Sequence, residues 1–227
     1  MTQRHRGGTI GATSPSEDPK CPHCAAIVIR RFAQSDVQEM AAAASVPVIN
    51  ALTDDHHPCQ ALADVLTLRE RFGDLRGLRV AYVGDGNNVA HSLIEAAALT
   101  GIDLRLACPP GYRPDPVIAA DVDVATDPRE AVTGAHAVYT DVWVSMGDDA
   151  ERERRLGDLR PHRVTPGLMG LAAPDAVFMH CLPAHRGEEV ATAVIDGAHS
   201  AVWQQAANRL PTEQAALYAL VSGDWEV

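Results

Sequence analysis

The side chains best suited to chemistry fall in a few short clusters along the 227 residues. His57-Pro58-Cys59-Gln60 follows Thr53-Asp54-Asp55, where a strand gives way to a helix. Histidine is a donor at neutral pH and a helix N-terminus attracts anions, so this turn suits a carbonyl or phosphate oxygen. The plainer reading is a loop histidine before a proline. Gly84-Asp85-Gly86-Asn87-Asn88-Val89 brings glycines that permit close backbone approach and two amide side chains at a helix start. Its plainer reading is a tight turn with an asparagine cap. A dinucleotide fingerprint would need glycine at Val89 and an acidic end to the second strand, which instead ends near Cys108, so no nucleotide cofactor is expected. Asp141-Val142-Trp143-Val144-Ser145-Met146-Gly147 and His180-Cys181-Leu182-Pro183 follow two further apolar runs. A carboxylate, a hydroxyl and a thiol placed after successive strands converge on one cleft. Cys21-Pro22-His23-Cys24 has the spacing of half a zinc site, but no second pair of ligands lies at suitable spacing, so no metal is expected.

The elements that must position these groups are legible from periodicity. Ala25 to Ile29 and Val46 to Ile49 read as strands. Between them a helix runs to about Ala44, with Ser35 and Gln38 as a capping-box pair. Gln60 to Arg71 reads as a helix ended by Gly73. Five short apolar runs follow, each leading into a polar loop and usually a helix: Leu78 to Val83, Leu104 to Cys108, Val122 to Ala125, Ala135 to Tyr139 and Ala176 to Met179. This alternation predicts a doubly wound α/β fold with a five-stranded parallel sheet from Gly77 to about Ala198, whose ligands sit beyond the carboxyl ends of the strands. A C-terminal helix from about Ala201 to Val221 is expected to bury Ala206, Leu210, Leu217, Leu220 and Val221 as one stripe. The expected organisation is an unpatterned arm over 1–24, a small lobe over 25–74, the α/β domain over 75–198, and the C-terminal helix over 199–227 packing back on the small lobe.

Nineteen Lys and Arg stand against thirty Asp and Glu, for a net charge of −11. Without a basic cluster, neither nucleic acid nor an anionic membrane surface is an expected partner. No run of about 18 apolar residues occurs, and the first twenty residues lack the apolar centre of a secretory leader, so the reading is cytoplasmic. Five cysteines, an odd number, fit reduced thiols.

From about Ala25 to the C-terminus the clusters at 57–60, 84–88, 141–147 and 180–183, together with Asn208-Arg209-Leu210, resemble the ornithine carbamoyltransferase family in order and spacing. The Ser-Met-Gly loop separates them from aspartate carbamoyltransferases. The resemblance implies an aspartate/ornithine carbamoyltransferase-like fold whose second domain is complete and whose first is a remnant. It implies transfer of a carbamoyl group from carbamoyl phosphate to L-ornithine, as in arginine biosynthesis and ornithine metabolism. By resemblance, His57, Gln60, Cys181, Leu182 and Arg209 would meet carbamoyl phosphate, with His57, Cys181 and Arg209 closest to the chemistry. Asn88, Asp141, Ser145 and Met146 would hold ornithine. Family members form trimers through the first domain, which points to a homo-oligomer. The family's phosphate-binding Ser-Thr-Arg-Thr turn has no counterpart in these residues, and Pro22 stands where a family arginine is expected, so impaired turnover, as in a truncated chain, is the expectation. The alternative is a non-catalytic module that keeps the ornithine half-site.

Overall fold

The computed structural model describes residues 24–144 and 149–225. Cys21, Pro22, His23, Ser145, Met146 and Gly147 lie outside them.

The small lobe starts with two parallel strands, β1 (Ile27–Arg30) and β2 (Val48–Leu52), joined through helix α1 (Gln34–Ala43). The expected capping box is not formed. Helix α1 begins two residues early, after Ala33, with no side-chain cap. Gln34 is drawn to the end of β2 instead, where its Oε1 accepts from Thr53 Oγ1 at 2.6 Å and Asn50 Nδ2 at 3.3 Å. Helix α2 (Pro58–Phe72) starts on proline, whose missing N–H costs nothing in a first turn, and stops at Gly73 with φ 78°.

The five apolar runs form one sheet, ordered β5-β4-β3-β6-β7 with every neighbouring pair parallel. The strands are β3 (Arg79–Val83), β4 (Asp103–Ala107), β5 (Val124–Ala125), β6 (Ala137–Thr140) and β7 (Val177–His180). Strands β3, β4, β6 and β7 are largely buried because both faces are covered, while both residues of β5 are half-buried. Val80, Tyr82, Leu106, Tyr139 and Met179 pack with Leu68 of α2 and with helix α3 (Asn88–Thr100). Ala81, Val83, Val138 and Phe178 pack on the other face with helices α4 (Pro128–Val132), α6 (Pro166–Met169) and α7 (Thr192–Ile195). Helix α5 (Arg152–Leu159) lies in the β6 to β7 crossover, where Leu159 packs with Trp143 and Tyr112. The chain reverses its direction of winding at β3, which is flanked by β4 and β6, and clefts open at such a switch point.

The C-terminal segment departs from expectation in two ways. It forms two helices, α8 (Val202–Ala207) and α9 (Arg209–Ser222), because Pro211 has no N–H to continue one hydrogen-bonded ladder and sits instead in a new first turn. The expected buried stripe is also on the wrong side. Ala206, Leu210, Leu217, Leu220 and Val221 are exposed, Leu210 by 66%, while α8 buries Val202 and Gln205 and α9 buries Ala219 against the rest of the fold. Helix α9 docks on α2 through a narrow face, and its contacts there are polar as well as apolar: Asn208 Nδ2 donates to Thr67 Oγ1 at 3.0 Å and to Glu70 Oε2 at 2.8 Å. A polar seam that specific outweighs the apolar pattern in choosing which side of the helix faces inward.

Candidate active site

The clusters at 84–88, 141–144 and 180–183 meet at the carboxyl ends of β3, β6 and β7. Asp141 directly follows β6 and is 5% exposed. Its Oδ2 accepts from Asn87 Nδ2 at 2.7 Å, and its Oδ1 accepts from the Cys181 thiol at 2.8 Å. Asn87 is thereby doubly used, because its Oδ1 caps α3 by accepting from the backbone N–H of Val89 at 3.0 Å and of Ala90 at 3.3 Å. The capping reading of the Gly84 to Val89 turn holds for Asn87, and that cap also orients the Asp141 carboxylate. Asn88 serves differently: its Nδ2 donates to the Thr53 carbonyl at 2.6 Å, tying α3 to the end of β2 and leaving its Oδ1 for a ligand.

Cys181 and Leu182 form a tight turn after β7. Leu182 has φ 59°, a left-handed conformation that costs a non-glycine residue about 1–3 kcal/mol. The turn is held from behind, because Leu182 N–H donates to His180 Nδ1 at 2.8 Å. That bond makes Nδ1 the acceptor and places the ring proton on Nε2, which faces buried Glu189 Oε1 at 3.4 Å. Burial and the adjacent Asp141 push the Cys181 thiol well above the usual range, so it stays protonated and donates to the carboxylate. A protonated thiol of this kind is a positioning group, not a nucleophile. Asp141, His180 and Cys181 bring possible metal-ligand atoms within 4.8 Å of one another. The Cys181 thiol keeps its proton and His180 Nδ1 accepts from the Leu182 N–H, whereas metal ligation needs a thiolate and a free imidazole lone pair, so the group is a poor fit to a metal.

His57 and Arg209 face this cluster from the small lobe and from α9. The His57 backbone N–H donates to Ser92 Oγ at 2.7 Å, while Nδ1 is buried without a partner among the described residues. Burial, and then the Arg209 charge, lower the imidazole to about 4, so it is neutral at physiological pH. Arg209 is held by Glu213 on its own helix, with Nε 2.7 Å from Oε1, and donates through Nη1 to Gln60 Oε1 at 2.9 Å. Gln60 is 2% exposed and lies behind the arginine. By resemblance Gln60 would meet carbamoyl phosphate; in this structure its Nε2 donates to Asp64 Oδ1 and its Oε1 accepts from Arg209 Nη1. Three polar residues of the site carry no motif that would single them out: Asp64, Gln205 and Glu189. Polar residues inside apolar stretches were the available signal, as at Asp64 within Ala61-Leu62-Ala63-Asp64-Val65.

The sequence matches the family described as aspartate/ornithine carbamoyltransferase, Asp/Orn binding domain, over residues 76–220, and the corresponding carbamoyl-P binding domain over residues 22–70. The chain belongs to this carbamoyltransferase family. It is 54% identical over 206 residues to the ornithine carbamoyltransferase of Methanothermobacter thermautotrophicus, covering 86% of this chain and 68% of that one. It is 53% identical over 207 residues to that of Symbiobacterium thermophilum, covering 86% and 67%. Among solved structures, the Pyrococcus furiosus ornithine carbamoyltransferase superposes with a TM-score of 0.85 at 47% identity, over 89% of this chain and 68% of that one. The Thermus thermophilus enzyme gives 0.82 at 48% identity, over 88% and 68%. The chain thus spans about two thirds of the length of the carbamoyltransferases it matches. Among the described residues, no helix is long and apolar enough to cross a membrane.

Proposed function

We propose that this carbamoyltransferase site takes L-ornithine and carbamoyl phosphate, in the cytoplasm, to give L-citrulline and phosphate. The observation that carries the reading is the Asp141 carboxylate, pinned by Asn87 and Cys181 at the ends of adjacent strands, opposite a neutral imidazole and a guanidinium. Asp141 pairs with the α-ammonium of ornithine, and Asn88 Oδ1 accepts a further proton of it; by resemblance, Ser145 and Met146 hold the same substrate. This leaves the neutral δ-amine free to attack. A C–N bond forms to the carbamoyl carbon, the C–O bond to phosphate breaks, and the amine gives up one proton to the leaving phosphate. His57 and Arg209 donate to the carbonyl oxygen as charge builds on it, which suits a neutral imidazole that need not lose its charge first. Leu182 belongs to the carbamoyl side, through the turn that presents Cys181.

The phosphate side is the weaker half. These residues hold no Ser-Thr-Arg-Thr turn, and Arg209 shares its charge with Glu213. Losing two charge-assisted hydrogen bonds of about 1.5–3 kcal/mol each weakens a phosphate ligand by about 10²–10⁴-fold. The 227-residue chain is therefore expected to bind ornithine and to turn it over slowly. Separate calorimetric titrations with ornithine and carbamoyl phosphate, with citrulline formation followed alongside, test this. Absence of ornithine binding overturns the reading. Citrulline formation at a rate common for enzymes, about 10 per second, overturns the impairment. Ornithine binding with no citrulline at all makes the chain an amino-acid-binding module. Self-association, with the trimer of the resembled family as its form, completes the proposal; the exposed apolar residues of α9 support it.

A further inference from the structure

Asp64 lies in the middle of α2, 1% exposed, and takes no part in the chemistry above. Its Oδ1 accepts from two amides at once, Gln60 Nε2 at 2.8 Å and Gln205 Nε2 at 2.6 Å. Each amide then has its carbonyl oxygen turned the other way. Gln60 Oε1 accepts from Arg209 Nη1 at 2.9 Å, and Gln205 Oε1 accepts from the His180 backbone N–H at 2.9 Å. Neither orientation can be inverted: guanidinium and backbone N–H are donors only, so both demand the amide oxygen, and the carboxylate oxygen demands the amide nitrogen. One buried oxygen atom therefore fixes a group on the carbamoyl side and the strand end that presents Cys181 on the ornithine side. The two lie on different elements, α9 and β7, with no direct bond between them among the described residues.

We propose that Asp64 is a positioning residue for both halves of the cleft, setting Arg209 through Gln60 and the Cys181 turn through Gln205. The inference rests on the carbamoyl-transfer reading of that cleft. The groups facing Asp64 are Gln60 on its own helix, Gln205 on α8, Arg209 on α9, Tyr139 on β6 and the Cys181 thiol after β7. Burial outweighs the hydrogen bonds from Gln60, Gln205 and Tyr139 and the charge of Arg209, raising the carboxyl to about 7. Among the described residues no donor lies within hydrogen-bond geometry of Oδ2, which leaves room for a proton there. The device is thus sensitive to pH near neutrality, since only the ionised form holds both amides with full charge.

The test is an NMR titration of the isotope-labelled wild-type chain and of Asp64→Asn, an isosteric change that keeps the oxygen and removes the titration. In wild type, the Asp64 carboxyl carbon, the His180 backbone amide and the Gln60 and Gln205 side-chain amides should shift together with a midpoint near pH 7. In Asp64→Asn, the three amides should be flat from pH 5.5 to 8.5. A carboxyl that titrates below pH 5, amides that move independently of it, or amide shifts that persist in Asp64→Asn overturn the proposal. The wild-type titration stands by itself if the variant does not fold. Calorimetry with L-ornithine and with carbamoyl phosphate supplies the functional arm: Asp64→Ala should weaken both by at least tenfold, and Asp64→Asn should restore both to within threefold of wild type at pH 6. Weakening of one ligand alone removes the shared role. Wild-type chain that binds neither ligand overturns the functional reading, and the NMR titration still decides whether the network exists.

Discussion

At the scale of single residues, the site is a set of shared protons. Asp141 accepts from Asn87 and from Cys181, and this leaves its negative charge aimed at whatever fills the cleft. Asp141→Asn keeps the shape and removes the charge. Ornithine affinity should fall by at least about tenfold to a hundredfold, the worth of one charge-assisted bond, in calorimetry, with a lower thermal midpoint as well, because asparagine can accept from only one of Asn87 and Cys181. Cys181 should resist alkylation by iodoacetamide at pH 7.5, because burial and Asp141 keep the thiol protonated; in the Asp141→Asn variant it should react faster, one raising influence having gone. Rapid modification of Cys181 in the wild type would show that the thiol is not held as described. His57 sets the acid side of stability. Its folded value of about 4 lies below the unfolded 6.5, so the stabilisation from burying the neutral ring is complete above pH 6.5 and is lost as pH falls toward 4. The slope corresponds to about 3 kcal/mol across that window, and His57→Gln should flatten it in urea unfolding measured at pH 4.5 and 7. The motif residues were legible from sequence because their types and spacing are unusual. Asp64 and Gln205 carried no motif, since their role depends on partners 141 residues apart in the chain, which no local pattern records.

At the scale of elements, the strand runs were the clearest signal, because a strand buried on both faces reads as an unbroken apolar stretch. All five runs became strands, though β5 keeps only Val124 and Ala125. The C-terminal helix was read less well for two physical reasons. Pro211 restarts the hydrogen-bond ladder, and the α2 seam selects small and polar residues, so hydrophobicity marks the outer face of α9 instead of the inner one. The turn between β3 and α3 shows the opposite case, where one residue type was needed for a reason visible only in three dimensions. A Cβ on Gly86 would lie 2.3 Å from the Pro114 nitrogen and 2.5 Å from its Cδ, so the backbone after β4 passes against this glycine. Gly86→Ala must push that segment away. A loss of about 1–3 kcal/mol is expected from such overpacking, together with weaker ornithine binding, because Asn87 is the next residue and carries both the α3 cap and the Asp141 bond. The urea midpoint and calorimetry on the same sample measure the two effects. An alanine variant of wild-type stability would mean that the 113–114 segment yields without cost.

At the scale of the whole molecule, the small lobe and α9 leave apolar area that no described element covers. Leu210, Leu217, Tyr218 and Val221 recur at helical spacing along the outer side of α9, and Val28 and Phe32 stand exposed on the small lobe. Isolated exposed apolar residues are ordinary on a protein surface, but a row along three turns of one helix forms a continuous patch. The −11 net charge opposes association at low ionic strength, and salt screens that repulsion within about 10 Å at 0.1 M. The two terms therefore predict a definite salt response. Association should strengthen as salt rises, the reverse of what a salt-bridged interface would show. Sedimentation velocity at micromolar concentration should find species larger than the monomer at 0.15 M salt and a shift toward monomer at 0.01 M. Leu217→Glu with Val221→Lys places charges on the patch while touching neither the α2 seam nor Arg209, and this pair should restore a monomer at 0.15 M with the unfolding transition retained. A wild-type chain that is monomeric at every salt concentration would show that the α9 row stays solvated and drives no association.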